Sequence, residues 1–592
     1  MQKRNVYLVQ VAVDFGHQNA SWLPYSVGCI WSYANQFDDI KNNFILQDIF
    51  FKRQSHQEVL ETIVDPCVVA FSCYVWNSQY SLTLAEKIKA KWPNCTIVMG
   101  GPNAHAGWTK YKFIDTIVLA EGETTFTKIL LTLVNKQLPE LFYKERLTNL
   151  DVPSPYTTGV FDKIINQNPN LSWYMIMEST RGCPYQCTFC DWGGGTYSKI
   201  RKFNTDKIDL EIEWAVNHKV VVLLVPDANF GIFKARDLEI AKKLRKAAED
   251  PKSIIQQIQF TYAKNTNDIC FEIEKLLGDY SIGLTISVQT MDPTALATVK
   301  RTIMKMNDLE YVFSLANKHN VRTYTELILG LPGETKDSFK TGITKLLELG
   351  QHTQIYVWLA TVLPNSEMGN PAYMQKYGIK TKSVKVYEDH DSVELTEFVV
   401  GTDTMSFEDL IESYMYAWVV QNFHHAGFSE ILAKYCRNVE NISYRQFYDN
   451  LSNYLQTDTL IGPTMSKFKE SVVTYLTQGE KSGDNETRFL ITLDCDFPDY
   501  YKFKDKFIQC ATNATSMLTK VPLDIIKLQS VYNFDTAYTY PIEEKLSFNI
   551  IDWVEEPVTY TINRINPPKG SNQDFYDLAL QKHLYKHTIE IK

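Results

Sequence analysis

Long apolar runs are scarce in this sequence. The purest, Val220-Val-Val-Leu-Leu-Val225, is six residues, far short of the roughly 20 needed to span a bilayer, so no membrane span is expected. Basic runs are missing too. With a formal net charge of −9 over 592 residues, the chain offers no electrostatic footprint for a nucleic-acid backbone, and such a substrate is disfavoured. The opening Met1-Gln-Lys-Arg-Asn5 passes straight into the strand-like Val6 to Val13 without the apolar core and cleavage site of a secretory signal. A cytoplasmic location is therefore expected.

Cysteines are mostly dispersed. Cys29, Cys67, Cys73, Cys95, Cys270, Cys436, Cys495 and Cys510 are scattered, several among apolar neighbours, and read as buried thiols in a reducing compartment rather than as disulfide partners. With 44% hydrophobic and 13% aromatic residues, disorder is not expected to dominate. The length exceeds one ordinary core, so about two to four domains are expected.

The other three cysteines sit together in Ser179-Thr-Arg-Gly-Cys-Pro-Tyr-Gln-Cys-Thr-Phe-Cys-Asp191. Chance would place this C-x3-C-x2-C spacing about 0.004 times in a chain with 11 Cys among 592 residues, so the grouping of Cys183, Cys187 and Cys190 needs a chemical reason. Soft thiolates suit zinc or an iron–sulfur cluster. A structural zinc site is closed by four ligands, which would require a distant fourth such as Cys270 or a histidine. A [4Fe–4S] cluster held by three thiolates instead keeps one iron open for a substrate or cofactor.

On these residues the chain resembles the radical S-adenosylmethionine (SAM) superfamily. The resemblance implies that the open iron chelates the methionine part of SAM, and that the reduced cluster cleaves SAM to a 5′-deoxyadenosyl radical. It also implies an external electron donor such as flavodoxin or ferredoxin. Phe189, before the last cysteine, fits the family's aromatic position beside the adenine.

Residues 1–136 alternate short apolar runs with helix-length segments, giving strands at Val6 to Val13, Phe44 to Phe51, Val68 to Cys73, Thr96 to Met99 and Thr116 to Leu119. The pattern predicts an α/β domain, a flavodoxin-like or Rossmann-type parallel sheet with helices on both faces. Binding loops in such sheets follow the carboxyl ends of the strands, where Ser72-Cys-Tyr-Val-Trp-Asn77 and the Gly100-Gly101 loop fall. Asp65-Pro-Cys-Val-Val-Ala-Phe-Ser72, Gly100-Gly101 and Ile114-Asp-Thr-Ile-Val-Leu-Ala-Glu-Gly-Glu-Thr124 resemble the cobalamin-binding domain often found before a radical SAM core. The resemblance implies a corrin beside Ser72, Trp76, Asn77, Gly100 and Gly101. The D-x-H-x-x-G element that supplies histidine to cobalt elsewhere is missing, since Asp14-Phe-Gly-His17 has the wrong spacing. A flavodoxin-like scaffold without its ligand stays open as the alternative.

Residues 137–172 are rich in Pro and Asn, lack a sustained period and read as a linker. In 173–383 six strand and helix units follow, with strands at Tyr174 to Glu178, Val220 to Val225, Ile258 to Tyr262, Gly283 to Val288, Arg322 to Leu329 and Ile355 to Ala360. They predict a partial (β/α)6, TIM-like barrel with its chemistry at the carboxyl ends of the strands, where the cysteines fall. The radical SAM resemblance extends to those ends. It implies SAM contacts from Asp227 and Asn229 in Pro226-Asp-Ala-Asn-Phe-Gly231, from Gln289 in Ser287-Val-Gln-Thr290, and from Glu326 and Ile328 in Glu326-Leu-Ile-Leu-Gly-Leu-Pro-Gly-Glu334. Taken alone, Asp227 and Asn229 also suit a helix cap, and Gly330 and Gly333 a turn. Lys264-Asn265 could meet the SAM carboxylate, although an exposed strand-end lysine is commoner. Gly193-Gly-Gly195 could admit a backbone close to the cluster or serve as an exit loop.

Residues 384–592 change character, with a helix start at Ser406-Phe-Glu-Asp409 running to about His425, further helices, then strand-like Arg488 to Leu493, Lys545 to Trp553 and Val558 to Ile565. A helical and then α+β region is expected to close the barrel mouth. His424-His425 reads as a solvated or capping pair in preference to a general base. The reading that results is a cobalamin-dependent radical SAM enzyme, most simply a methyltransferase acting on an unactivated carbon of a small molecule or peptide. Such a carbon offers side-chain catalysis no handle, so the hard step is delegated to cofactors. In the resembling family one SAM charges the corrin with methyl and another yields the radical. Radical cyclisation or rearrangement, with or without cobalamin, and a non-catalytic cobalamin- or metal-binding regulator remain as alternatives.

Overall fold

The computed structural model describes residues 2–12, 19–192, 199–262, 268–319, 321–479, 504–532, 542–563 and 588–591. The strands of its first two units are β1 (Arg4–Val9), β2 (Ala20–Trp22), β3 (Phe44–Phe50), β4 (Pro66–Ser72), β5 (Thr96–Gly100), β6 (Thr116–Ala120), β7 (Phe142–Glu145), β8 (Ser172–Ile176), β9 (Thr180–Arg181), β10 (Arg201–Lys202), β11 (Val220–Phe230), β12 (Gln257–Tyr262), β13 (Leu284–Gln289), β14 (Thr323–Leu329) and β15 (Ile355–Leu359).

The first sheet runs β3-β1-β4-β5-β6-β7, and all its pairings are parallel. Because side chains alternate across a strand, its residues divide between two cores. Val6, Leu8, Val68, Ala70 and Val98 pack with the helices Tyr25–Ala34 and Glu123–Val134. Tyr7, Val9, Val69, Phe71 and Ile97 pack with Ser78–Lys91 on the opposite face. The strand order reverses between β1 and β4, and the crevice outside the carboxyl ends at such a switch is where ligands bind.

Two departures from the sequence reading concern how the units are joined. Residues 137–172 are not a free linker. They supply β7 to the sheet edge and a helix, Asp162–Gln167, while buried Tyr156 and Phe161 pack into the shared core. The Pro and Asn content marks turns between packed pieces. The second departure is β2, which pairs in parallel with β8 and so extends the second unit from within the first.

In the second unit β8, β11, β12, β13, β14 and β15 follow one another in parallel around a partial barrel. Among the described residues β12 meets the approach to β13 through the isolated bridge of Ile258 with Ser281. Buried residues such as Leu223, Ile258, Ile286, Leu327 and Val357 face the surrounding helices. The alternate residues Gln259, Ser287, Gln289, Glu326, Tyr356 and Trp358 stay partly or largely exposed and line the interior.

An antiparallel hairpin, β16 (Lys380–Glu388) and β17 (Val393–Gly401), leaves the barrel where the sequence shows only a change of character. The next helix, Phe407–Val420, begins with a reciprocal capping box between Ser406 and Asp409 and ends in a π-helical turn, Gln421–His425. Further helices lead to an antiparallel sheet of β18 (Ile542–Leu546), β19 (Val558–Asn563) and β20 (Thr588–Ile591). The expected strand Arg488 to Leu493 lies outside the described residues.

Candidate active site

The cysteine loop is closed at its base by a two-residue ladder between β9 and β10, which pairs Arg181 with Arg201 and Thr180 with Lys202. Gly182 then turns the chain with φ at +108° immediately before Cys183. Asp227 anchors the loop, accepting from Ser179 N and Thr180 Oγ1 at 2.9 Å each and from the Ser179 hydroxyl. Burial pushes the Asp227 carboxyl up to about 6, despite the donation from Ser179 and Thr180. Arg236 holds the same segment through Ser179 O at 2.9 Å.

Cys183 and Cys187 are buried, and Cys190 is half-buried at the edge of a cavity. Asn229 Nδ2 donates to Cys183 Sγ at 3.4 Å, and Arg301 Nη1 donates to Cys187 Sγ at 3.7 Å. Arg301 also donates to Ser287 O. Thr188, between the last two cysteines, is fixed on both sides, its N–H to Val299 O at 3.1 Å and its carbonyl to Met368 N at 2.7 Å.

The other expected SAM-side residues are dispersed around this loop. Phe189 and Ile328 pack into one apolar group with Ala360, Met368, Ile379 and Val399. Glu326 accepts from Ser287 Oγ at 2.9 Å. Gln289 ends β13 with φ at +68°. Asp227 faces the loop backbone, so its carboxylate is occupied as an anchor.

On the other side lies a cavity of about 930 Å³ between the two units. Ser72, Trp76, Gly100 and Gly101 line it from the first unit, and Phe189, Cys190 and Trp192 from the second. Trp76 stacks on Tyr74 with ring centroids 4.5 Å apart. Gly101 has φ at +94°, and a Cβ there would lie 2.5 Å from Cys73 N, so the turn demands glycine. Asn77 does not line the cavity. It is buried, donating to Val11 O and Ser72 O and accepting from Tyr74 N at 2.7 Å, and it shapes the loop that presents Trp76.

Contacts that the sequence did not reveal clamp the cavity. Arg181, two residues before Cys183, reaches Glu123 at 2.6 Å and Glu178 at 2.7 Å, and Arg201 pairs with Glu121. Asn365, beyond β15, donates to Pro102 O and Ala104 O at 2.9 and 2.8 Å. His424 is placed elsewhere: it bonds Tyr448 at 2.6 Å and His352 at 3.0 Å. His352 precedes β15 at the amino end of the barrel, away from the cysteine loop. Lys264, Asn265, Gly193 to Gly195 and Asp14 to His17 lie outside the described residues.

The loop's donors, the thiols of Cys183, Cys187 and Cys190, are the soft ligands that an iron–sulfur cluster takes. Two buried donors already address thiol sulfurs, as outer-shell groups do around cluster thiolates. Asn229 Oδ1 and Arg301 Nε are buried and meet no partner among the described residues, leaving polar atoms for a ligand at this loop. Cys270 is buried with its thiol toward Phe230 O.

The radical SAM superfamily model matches residues 177–344, and the B12-binding domain model matches residues 41–130. The cobalamin-dependent radical SAM methyltransferase TokK of Streptomyces tokunonensis is 34% identical over 491 residues, 78% of this chain and 71% of that protein. The 2-(S-pantetheinyl)-carbapenam-3-carboxylate methyltransferase of Streptantibioticus cattleyicolor is 33% identical over 508 residues, 80% and 73% of the two chains. Among solved structures, the cobalamin-dependent S-adenosylmethionine radical enzyme OxsB aligns with a TM-score of 0.53 at 12% identity, over 90% of this chain and 83% of that one. No described helix is long and apolar enough to cross a membrane.

Proposed function

The chain belongs to the cobalamin-dependent radical SAM methyltransferases, and on that premise we propose that it methylates a saturated carbon of a small carboxylate-bearing molecule. The first substrate to try is 2-(S-pantetheinyl)-carbapenam-3-carboxylate, taken from the name of the relative in Streptantibioticus cattleyicolor. When bound, the cofactors supply the hard chemistry: a reduced cluster for homolytic cleavage of SAM, hydrogen-atom removal by the resulting adenosyl radical, and a corrin that carries the methyl group.

The residues have separable duties in this reading. Cys183, Cys187 and Cys190 hold the cluster, and Asp227 keeps their loop in place. Phe189 and Ile328 give the adenine an apolar wall. Glu326 accepts from the ribose, while Gln289 and Asn229 meet the polar end of the methionine part. Ser72, Trp76, Gly100 and Gly101 take the corrin. Tyr356, Trp358 and Gln259, inside the barrel, face the substrate and orient its target carbon. A low-potential flavodoxin or ferredoxin supplies electrons.

The observation that carries the proposal is the shared cavity of about 930 Å³, where Trp76 and Gly101 of one unit and Cys190 of the other open onto one space. Anaerobic reconstitution with iron, sulfide and cobalamin, followed by mass analysis of the substrate, tests it. One added methyl per substrate, with both 5′-deoxyadenosine and S-adenosylhomocysteine formed, is expected. Formation of 5′-deoxyadenosine without S-adenosylhomocysteine would move the enzyme to a different radical outcome.

A further inference from the structure

Arg301 stands 114 residues from Cys187 in sequence, yet its guanidinium reaches that sulfur at 3.7 Å. It is only 5% exposed. A buried guanidinium cannot shed its proton, so it brings a full positive charge into the cysteine site. Among the described residues its polar contacts run to a sulfur and to the carbonyl of Ser287, not to a carboxylate, and Nε meets no acceptor. The charge is therefore directed at the cysteine loop.

The local backbone is built to hold it there. The helix Pro293–Thr298 starts with Pro at its first turn and an Asp292 cap. It ends in a turn where Lys300 takes φ at +53°, and Arg301 N bonds back to Leu296 O at 2.9 Å. Val299 O in that turn accepts from Thr188 N at 3.1 Å. Lys300, next to Arg301, pairs outward with Glu367 at 2.7 Å. The same turn thus anchors the cysteine loop and aims the guanidinium at one of its sulfurs.

We propose that Arg301 sets the reduction potential of the cluster, resting on the assignment of Cys183, Cys187 and Cys190 as its ligands. Reduction adds one electron from the external donor to a group that already carries thiolate charge. A fixed cation in a buried site favours the more negative, reduced form, and hydrogen bonds to cluster sulfurs act in the same direction. Asn229 contributes a neutral donor at Cys183, whereas Cys190, at the cavity edge, is the more open thiol. Arg301 is the charged member of the set.

The test uses the full chain, anaerobically reconstituted, with iron content measured and the cluster titrated by its electron paramagnetic resonance signal. Arg301→Gln should load iron as wild type does and shift the one-electron equilibrium at least tenfold toward the oxidised cluster, a fall of about 59 mV. Arg301→Lys, which keeps the charge, should restore most of that shift. A fully loaded Arg301→Gln protein with the wild-type potential would overturn the proposal. Should Arg301→Gln fail to load, Arg301→Lys decides: loading with a near-wild-type potential supports the role of charge, and failure of both variants makes Arg301 a purely structural residue. Wild-type protein that binds no cluster would instead overturn the ligand assignment.

Discussion

Glu394 accepts Arg53 Nη2 at 2.8 Å, and both side chains are almost wholly shielded from water. The same carboxylate receives Gln79 N at 2.8 Å and Tyr80 N at 3.0 Å, capping the helix Ser78–Lys91. Arg53 also donates to Trp76 O at 2.7 Å and to Ser392 Oγ at 2.9 Å. The hairpin that leaves the barrel is thereby tied to the loop carrying Trp76, at the wall of the cavity.

Glu394→Ala should therefore destabilise the protein. Arg53 keeps its ion pair with Asp389 but loses its more buried carboxylate, and Gln79 N and Tyr80 N lose their acceptor, a cost of about 1–3 kcal/mol. Denaturant unfolding of the cofactor-free protein measures it, and corrin affinity should fall as well because the Trp76 loop loses its brace. A loss below about 1 kcal/mol would mean that the pair is not a clamp.

Cys187→Ala removes one of the three thiols. The expected result is loss of the brown iron–sulfur colour and of all SAM cleavage, read by absorbance and by assay for 5′-deoxyadenosine. Turnover surviving in that variant would contradict the cluster assignment.

Adjacent glycines should respond differently to alanine. At Gly101 the added Cβ would meet Cys73 N at 2.5 Å and Cys73 O at 2.6 Å in a left-handed backbone, so Gly101→Ala should abolish cobalamin binding, followed by the corrin absorption bands. At Gly100 the nearest atom would be Val118 Cβ at 3.6 Å, ordinary contact, and Gly100→Ala should fold normally. Equal effects at both positions would discount backbone geometry as the reason for the pair.

Glu334 supplies a pH-dependent prediction. Burial, with a smaller push from nearby Asp292, raises its carboxyl to about 8 although Thr290 donates to one oxygen. The folded state holds a proton that the unfolded chain releases above about 4.5, so stability should fall as pH rises from there to about 8. The slope from this group approaches about 1.4 kcal/mol per pH unit. Glu334→Gln should flatten that decline while keeping an acceptor for Thr290. Unfolding at pH 5.5 and 8.5 compares the two proteins, and identical pH dependence would show that Glu334 is not the group responsible.

Legibility in the sequence followed locality. The cysteine spacing and the six barrel strands are local patterns, and each strand was readable because apolar residues concentrate where helices cover the sheet. β2 is three residues, Ala-Ser-Trp, too short for any period, and β7 is an edge strand whose sequence Phe-Tyr-Lys-Glu alternates only weakly. The hairpin of β16 and β17 is rich in charge and lies over another unit, so its pairing depends on contacts far along the chain, such as Arg53. Asn77 and Asp227 illustrate a different failure. Short polar side chains at strand ends satisfy neighbouring backbone groups as readily as a ligand, and spacing cannot distinguish the two. Arg301 carried no local signal at all, since its meaning lies in a sulfur contributed from another part of the barrel.

The three residues of β2 have a practical consequence for anyone cutting the gene. A fragment beginning at residue 173 would expose the flank of β8, whose pairing groups Ala20, Ser21 and Trp22 now occupy, and an uncovered strand of that kind recruits other chains. The amino-terminal piece expressed by itself would carry a strand with nothing to pair with. Exchanging cofactor modules between such enzymes should therefore succeed only if the splice carries Ala20 to Trp22 along with the barrel.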